Sequence, residues 1–263
     1  MTERPLVAFT LLAQMAVGVF LTLLALDLWD GALAAEPAAW ALTNGVLLAI
    51  GPVMAVALAA SLLHLGSPAG AWRAIVNVRS SWLSREVVLA IAFAACGAAF
   101  AVLRMSGHGP SGLATLLAVA TALSGVGLVY AMARVYRVRT VPAWDTPLTT
   151  ISFFAATVLL GSLAVGTALV LLPGTSGAPI SGPLRWIGLA AAAGFGAELA
   201  ALRRGPLHGA RRILLLLGLA LSAGLLLGAG RASALLAASF AVAVAAETLS
   251  RYLFYVEGLR KPL

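Results

Sequence analysis

Seven polar residues of this chain carry groups suited to proton and anion chemistry, and all lie inside or at the edges of long apolar runs: Gln14, His64, Arg85, Glu86, Glu198, Glu247 and Arg251. An imidazole and a carboxyl take up and release protons. A guanidinium steadies a negative oxygen, and an amide both donates and accepts. Ionisable side chains within transmembrane segments are expensive, so each is a functional-site candidate by default. A protonatable His and Glu at an apolar helix end, with Arg nearby, suit a lipid-soluble molecule that exchanges protons. A quinone headgroup is such a molecule. Its carbonyls accept hydrogen bonds, and the hydroxyls of its reduced form release protons on oxidation.

Each residue also has a plainer reading. Glu247 and Arg251, four apart on one helix, form a structural ion pair at that spacing. Arg203 and Arg204 are the local partners available to Glu198. His64 would cap a helix end by donating to the last carbonyls. Arg85 would snorkel to the interface, and Gln14 would join two helices by a hydrogen bond. The gathering of all seven in one half of the membrane favours a shared site.

Other chemistries lack their residues. Membrane haem needs facing imidazoles, but His108 and His208 fall in connections and no two histidines share a depth within spans. No haem and no metal is therefore expected in this chain. The one cysteine, Cys96, excludes a disulfide framework and a Cys-based zinc or iron–sulfur site. It lies within an apolar span and reads as a small core residue.

The elements that position these groups follow from composition. Of 263 residues, 62% are hydrophobic and 10% are charged, against about a quarter charged in a soluble domain. The chain is expected to be all-α: a polytopic integral membrane protein, an eight-transmembrane-helix bundle forming one domain over residues 1–263 in the bilayer. The spans read as Leu6–Leu28, Ala41–Leu63, Ser84–Leu103, Leu113–Val135, Pro147–Leu172, Leu184–Leu202, Ile213–Leu227 and Ala232–Tyr255. Each crosses a core of about 30 Å at about 1.5 Å per residue, the seventh marginally. The first run reads as a span rather than a signal peptide. It is longer than a usual signal core, and Asp27, Trp29 and Asp30 precede the small residues Ala32–Ala35.

Eight alternating spans bring His64, Glu86, Glu198, Glu247 and Arg251 towards one face. The net charge of +8 concentrates there too: Arg73, Arg79, Arg134, Arg137, Arg139, Arg203, Arg204, Arg211 and Arg212 sit in or beside the even connections. The positive-inside rule places that face in the cytoplasm. A docking surface for a soluble subunit explains the same charge and leaves the orientation open. No soluble basic domain is present to suggest nucleic acid.

Several strings then carry a resemblance: FTLLAQMAVGVF in the first span, HLGSPAGAWRAIVNVRSSWLSRE across the second connection, ARVYRVRTVPAWDTPLTTISFF at the fourth, GAEL around Glu198, and ETLSRYLFY near the end. In order and spacing the chain resembles the membrane anchor subunit of dimethyl sulfoxide reductase and its relatives. The resemblance implies an eight-helix anchor of the bacterial inner membrane that oxidises menaquinol or ubiquinol. It also implies two partners, a four-cluster ferredoxin-like iron–sulfur subunit and a molybdopterin catalytic subunit. It links His64 and Glu86 to quinol oxidation. From the residues themselves, Arg85 is added, to stabilise the Glu86 carboxylate or the quinone oxygen, and so is Gln14, with Glu198, Glu247 and Arg251 as a supporting polar network. The resemblance assigns no role to the Trp144–Asp145 turn. The rival class is a secondary transporter or proton-conducting protein. Such a protein favours a midplane site on broken, repeated helices, which this sequence does not show clearly.

Overall fold

The computed structural model describes residues 4–30, 37–62, 76–106, 112–171, 181–202, 208–227 and 232–259. Among them run eight helices and no strand: α1 (Arg4–Asp30), α2 (Pro37–Leu62), α3 (Trp82–Met105), α4 (Gly112–Tyr136), α5 (Pro147–Leu171), α6 (Ser181–Ala200), α7 (Gly209–Leu226) and α8 (Ala232–Leu259). Helix is the form in which a chain in lipid satisfies its own backbone. Within α2, Pro52 removes one backbone donor without ending the helix, as transmembrane helices tolerate. Ser81 starts α3, its hydroxyl accepting from the Ser84 amide at 3.3 Å.

Seven of the eight helices are long and apolar enough to cross a membrane. The exception is α6 rather than the short α7, which qualifies over Gly209–Leu226. Arg185 and Glu198 lower the apolar character of α6, and it sits between α5 and α7 within the bundle.

α1 and α5 form the centre. In their most apolar stretches 56% and 61% of residues are buried, against 22% in α7. Their backbones meet at two glycines. A β-carbon on Gly18 would lie 2.9 Å from the Gly161 Cα and would collide with the Thr157 carbonyl; one on Gly161 would collide with the Gly18 backbone. Small residues that admit such approach are the usual substitute for hydrophobic driving force between helices in lipid. α2 packs on α1 and α3, α3 on α4, and α7 on α8, while α8 returns to α5. Leucines, valines and isoleucines such as Val56, Ile91, Leu116, Leu123, Ile213 and Leu216 cover the outside, where a soluble protein would be polar.

The alternating directions expected from sequence hold. At one end, Asp27 of α1 pairs with Arg104 of α3. At the other, the last residue of α4, Tyr136, shares a 2.6 Å hydrogen bond with Tyr255 near the end of α8. The Trp144 indole donates to the Phe254 carbonyl at 2.9 Å and stacks on its ring. The turn given no role from sequence thus pins the α4–α5 connection to α8.

Candidate functional site

Gln14 is fully buried and ties three helices together. Its Nε2 donates to the Phe153 carbonyl of α5 at 2.9 Å, and its Oε1 accepts from Arg251 Nη2 of α8 at 3.0 Å. The Arg251 guanidinium also lies over the Phe153 ring, 3.8 Å from its centre. A desolvated cation over an aromatic face is worth about 2 kcal/mol. The helix-joining role expected of Gln14 is therefore present, with an arginine as one partner.

The expected ion pair between Glu247 and Arg251 does not form. Arg251 is drawn across the bundle to Gln14 and Phe153, so a tertiary partner displaces the local one. Glu247 is fully buried, and neither carboxyl oxygen accepts a hydrogen bond among the described residues. Glu198, Arg211 and Arg251 are its electrostatic neighbours. Glu198 is fully buried as well. Arg203 and Arg204 lie outside the described residues; among the described residues its ion-pair partner is Arg211, in the first turn of α7, whose Nη2 donates to Glu198. Ser152 Oγ of α5 donates to both carboxyl oxygens at 2.9 and 3.1 Å. In sequence Arg211 counts only among the topological charges, because a pair of arginines before an apolar run reads as a surface feature.

Glu86 occupies the second turn of α3 and is 5% exposed. Its carboxyl accepts no hydrogen bond among the described residues, and Tyr136 is an electrostatic neighbour. Arg85, next in sequence, turns elsewhere. Its Nε donates to the Val78 carbonyl at 2.8 Å and its Nη2 to the Arg79 carbonyl at 2.7 Å, with the guanidinium 4.2 Å from the Trp82 ring centre. Arg85 therefore folds the 76–81 turn onto α3 rather than steadying the Glu86 carboxylate. Arg134 faces the same Trp82 ring at 5.1 Å. His64 lies outside the described residues.

A polar cavity of about 40 Å³ opens beside this network, lined by Thr149, Ser152, His208, Arg211, Ser250 and Arg251 among others. An aromatic cluster of Tyr136, Trp144, Phe153, Phe254 and Tyr255 closes the adjoining space, with ring centres 5.0–6.5 Å apart. Sequence reasoning missed Tyr136, Ser152 and Tyr255. Tyrosine at a span end reads as an ordinary interfacial residue, and serine in an apolar helix as a packing residue.

These features define a class, a multi-span helical membrane protein with buried carboxyls, arginines and an amide joined across its helices. The chain belongs to the DMSO reductase anchor subunit (DmsC) family, whose sequence model matches residues 1–179. That stretch covers α1 to α5 and contains Gln14, His64, Arg85 and Glu86; Glu198, Arg211, Glu247 and Arg251 lie beyond it. The chain is 35% identical to an anaerobic dimethyl sulfoxide reductase chain of Escherichia coli K12, over 66% of its own length and 60% of that protein. It is 31% identical to an anaerobic dimethyl sulfoxide reductase chain of Haemophilus influenzae, over 64% and 59%. A sulfite dehydrogenase subunit of Allochromatium vinosum is 32% identical over 56% and 48%. The chain thus spans about 60% of the length of the dimethyl sulfoxide reductase relatives it matches. No solved structure matches it.

Proposed function

We propose that this chain is the quinol-oxidising anchor subunit of a molybdopterin oxidoreductase complex in a bacterial inner membrane. Menaquinol or ubiquinol is the substrate. Its headgroup binds against α3 near Glu86 and His64, and two electrons leave to an iron–sulfur cluster of a four-cluster ferredoxin-like subunit, which passes them to the molybdopterin subunit. The two quinol protons go to protein groups. Glu86 takes one, and His64 is the second acceptor. Gln14 and Arg251, already bonded to one another, hold the polar end of α8 against α1 and keep the interior around the site rigid. Arg85 acts at a distance by fixing the turn that leads into α3. Chemistry by the iron–sulfur and molybdopterin groups belongs to the partner subunits.

The observation that carries the reading is Glu86. A carboxyl that is 5% exposed, near the start of an apolar helix, with no hydrogen-bond donor among the described residues, is free to exchange a proton with a bound molecule. It also falls inside the family match. Membership of an anchor family supports the partners, and the relatives named as reductase and dehydrogenase components support an electron-transfer complex.

The test is Glu86→Gln in the assembled complex. The amide preserves shape and removes basicity, so quinol-dependent turnover should fall by about 100-fold or more while the subunits stay attached. Undiminished quinol turnover would remove Glu86 from the mechanism.

A further inference from the structure

The polar cavity beside the Glu198–Arg211 pair has features that quinol oxidation does not use. Arg211, Arg251 and His208 line it, and each is more than nine-tenths buried. The Nε atoms of Arg211 and Arg251 are buried donors without a partner among the described residues. Glu198 answers the charge of Arg211 through its ion pair. Among the described residues Arg251 hydrogen-bonds only the neutral Gln14 amide, while Glu198 and Glu247 act on its charge without accepting a bond from it. Glu247, the other nearby carboxyl, is not part of the lining. Ser152 and Ser250 add hydroxyls that donate or accept. A buried donor left unmade costs about 1–3 kcal/mol, which favours an acceptor in this space.

Size and position limit what the acceptor is. At about 10–15 Å³ per water, a 40 Å³ cavity holds roughly three waters, close to the oxygen cage of a tetrahedral oxyanion. The cavity lies among the start of α5, the start of α7 and the last turns of α8, at the level of the helix ends. Leu148 is part of its lining and is itself 41% exposed. Ile151 and Tyr252, on the same two helices, are 46% and 58% exposed. The lining thus reaches the bundle's exterior at Leu148, beside apolar Ile151, and a tyrosine stands where the interface is expected. Basic pockets between transmembrane helices are the usual seats of acidic headgroups.

We propose that this cavity binds the phosphate of an anionic phospholipid, seated between α5, α7 and α8 with its oxygens towards Arg211 and Arg251 and its acyl chains along Leu148 and Ile151. The site stands independently of quinol oxidation and requires no partner subunit.

The test uses the full chain in detergent and native mass spectrometry, with dioleoylphosphatidylglycerol, dioleoylphosphatidylcholine and inorganic phosphate as probes. Phosphatidylglycerol should be retained over phosphatidylcholine by about fivefold, the factor that one guanidinium outside an ion pair supplies near a headgroup. Ser250→Asp places a carboxylate in the cavity and should abolish that preference, whereas Ser250→Ala should keep it. Equal retention of the two lipids by the unaltered chain overturns the proposal, whatever the variants do. Release of phosphatidylglycerol by millimolar inorganic phosphate overturns the lipid assignment in favour of a free anion. Loss of the soluble subunits from a Ser250→Asp complex that still prefers phosphatidylglycerol overturns it in favour of an acidic side chain of a partner.

Discussion

Arg211 and Glu198 show how a single residue changes meaning between sequence and structure. In sequence Arg211 is one of a basic pair beginning α7; in the bundle it is 6% exposed and completes a carboxylate already held by Ser152. Removing one member of such a buried pair strands the other charge, at a cost of about 3–5 kcal/mol, whereas replacing both with apolar groups is often neutral. Arg211→Met should therefore destabilise the purified protein by about that amount, and Arg211→Met with Glu198→Met should recover most of the loss. The midpoint of denaturant-induced unfolding in mixed micelles reads both. Equal midpoints for the single variant and the parent would show that the pair carries no stability. Gln14, by contrast, was legible as a joining residue from chemistry alone: an amide in an apolar helix seeks partners on neighbours. What could not be read was which neighbours, since Phe153 and Arg251 are 139 and 237 residues away.

At the scale of elements, the bundle depends on how closely α1 approaches α5. Gly18 and Gly161 leave no room for a β-carbon on either backbone. Gly161→Val should push the two helices apart and break the register that places Gln14 Nε2 on the Phe153 carbonyl. Overpacking of this kind costs about 1–3 kcal/mol where the neighbour can yield, and here the obstruction is backbone, so the loss should reach or exceed that range. The measurement is the fraction of monodisperse protein after detergent extraction, with Gly196→Ala as control, because a β-carbon there meets nothing within 4 Å. Normal yield and stability of Gly161→Val would show that the close approach is dispensable. The helices themselves were legible from uninterrupted apolar length. α6 was the exception in kind: Arg185 and Glu198 keep it below the apolar character of the other helices, yet its buried carboxyl is satisfied by α5 and α7.

At the scale of the whole molecule, the basic end of the bundle carries charge that the fold uses unevenly. Arg137 is held internally, 3.4 Å from Asp145 and 3.4 Å from Thr150, and Arg85 and Arg134 attend Trp82. Arg139, in the exposed α4–α5 connection, is not among these internal ties. If this end docks the soluble subunits, Arg139→Glu should weaken their retention several-fold at low ionic strength, with the difference fading at high salt. Membrane fractionation measures retention, and cysteine labelling from each side verifies insertion. Unchanged retention at low salt in correctly inserted protein would leave that charge to topology alone. Sequence by itself determined that the chain is helical and multi-spanning. Those properties follow from apolar length, alternating direction and the high cost of charge in lipid, all of which are local or additive along the chain. Which polar groups touch was decided only by tertiary structure. The local pairing of Glu247 with Arg251 was outcompeted by Gln14 and Phe153 on other helices, and Arg211 of α7 came to Glu198 from across the bundle. Close packing at Gly18 and Gly161 fixes how α1 meets α5, and the Trp144 cluster fixes how the α4–α5 connection meets α8, among partners that sequence distance leaves equivalent.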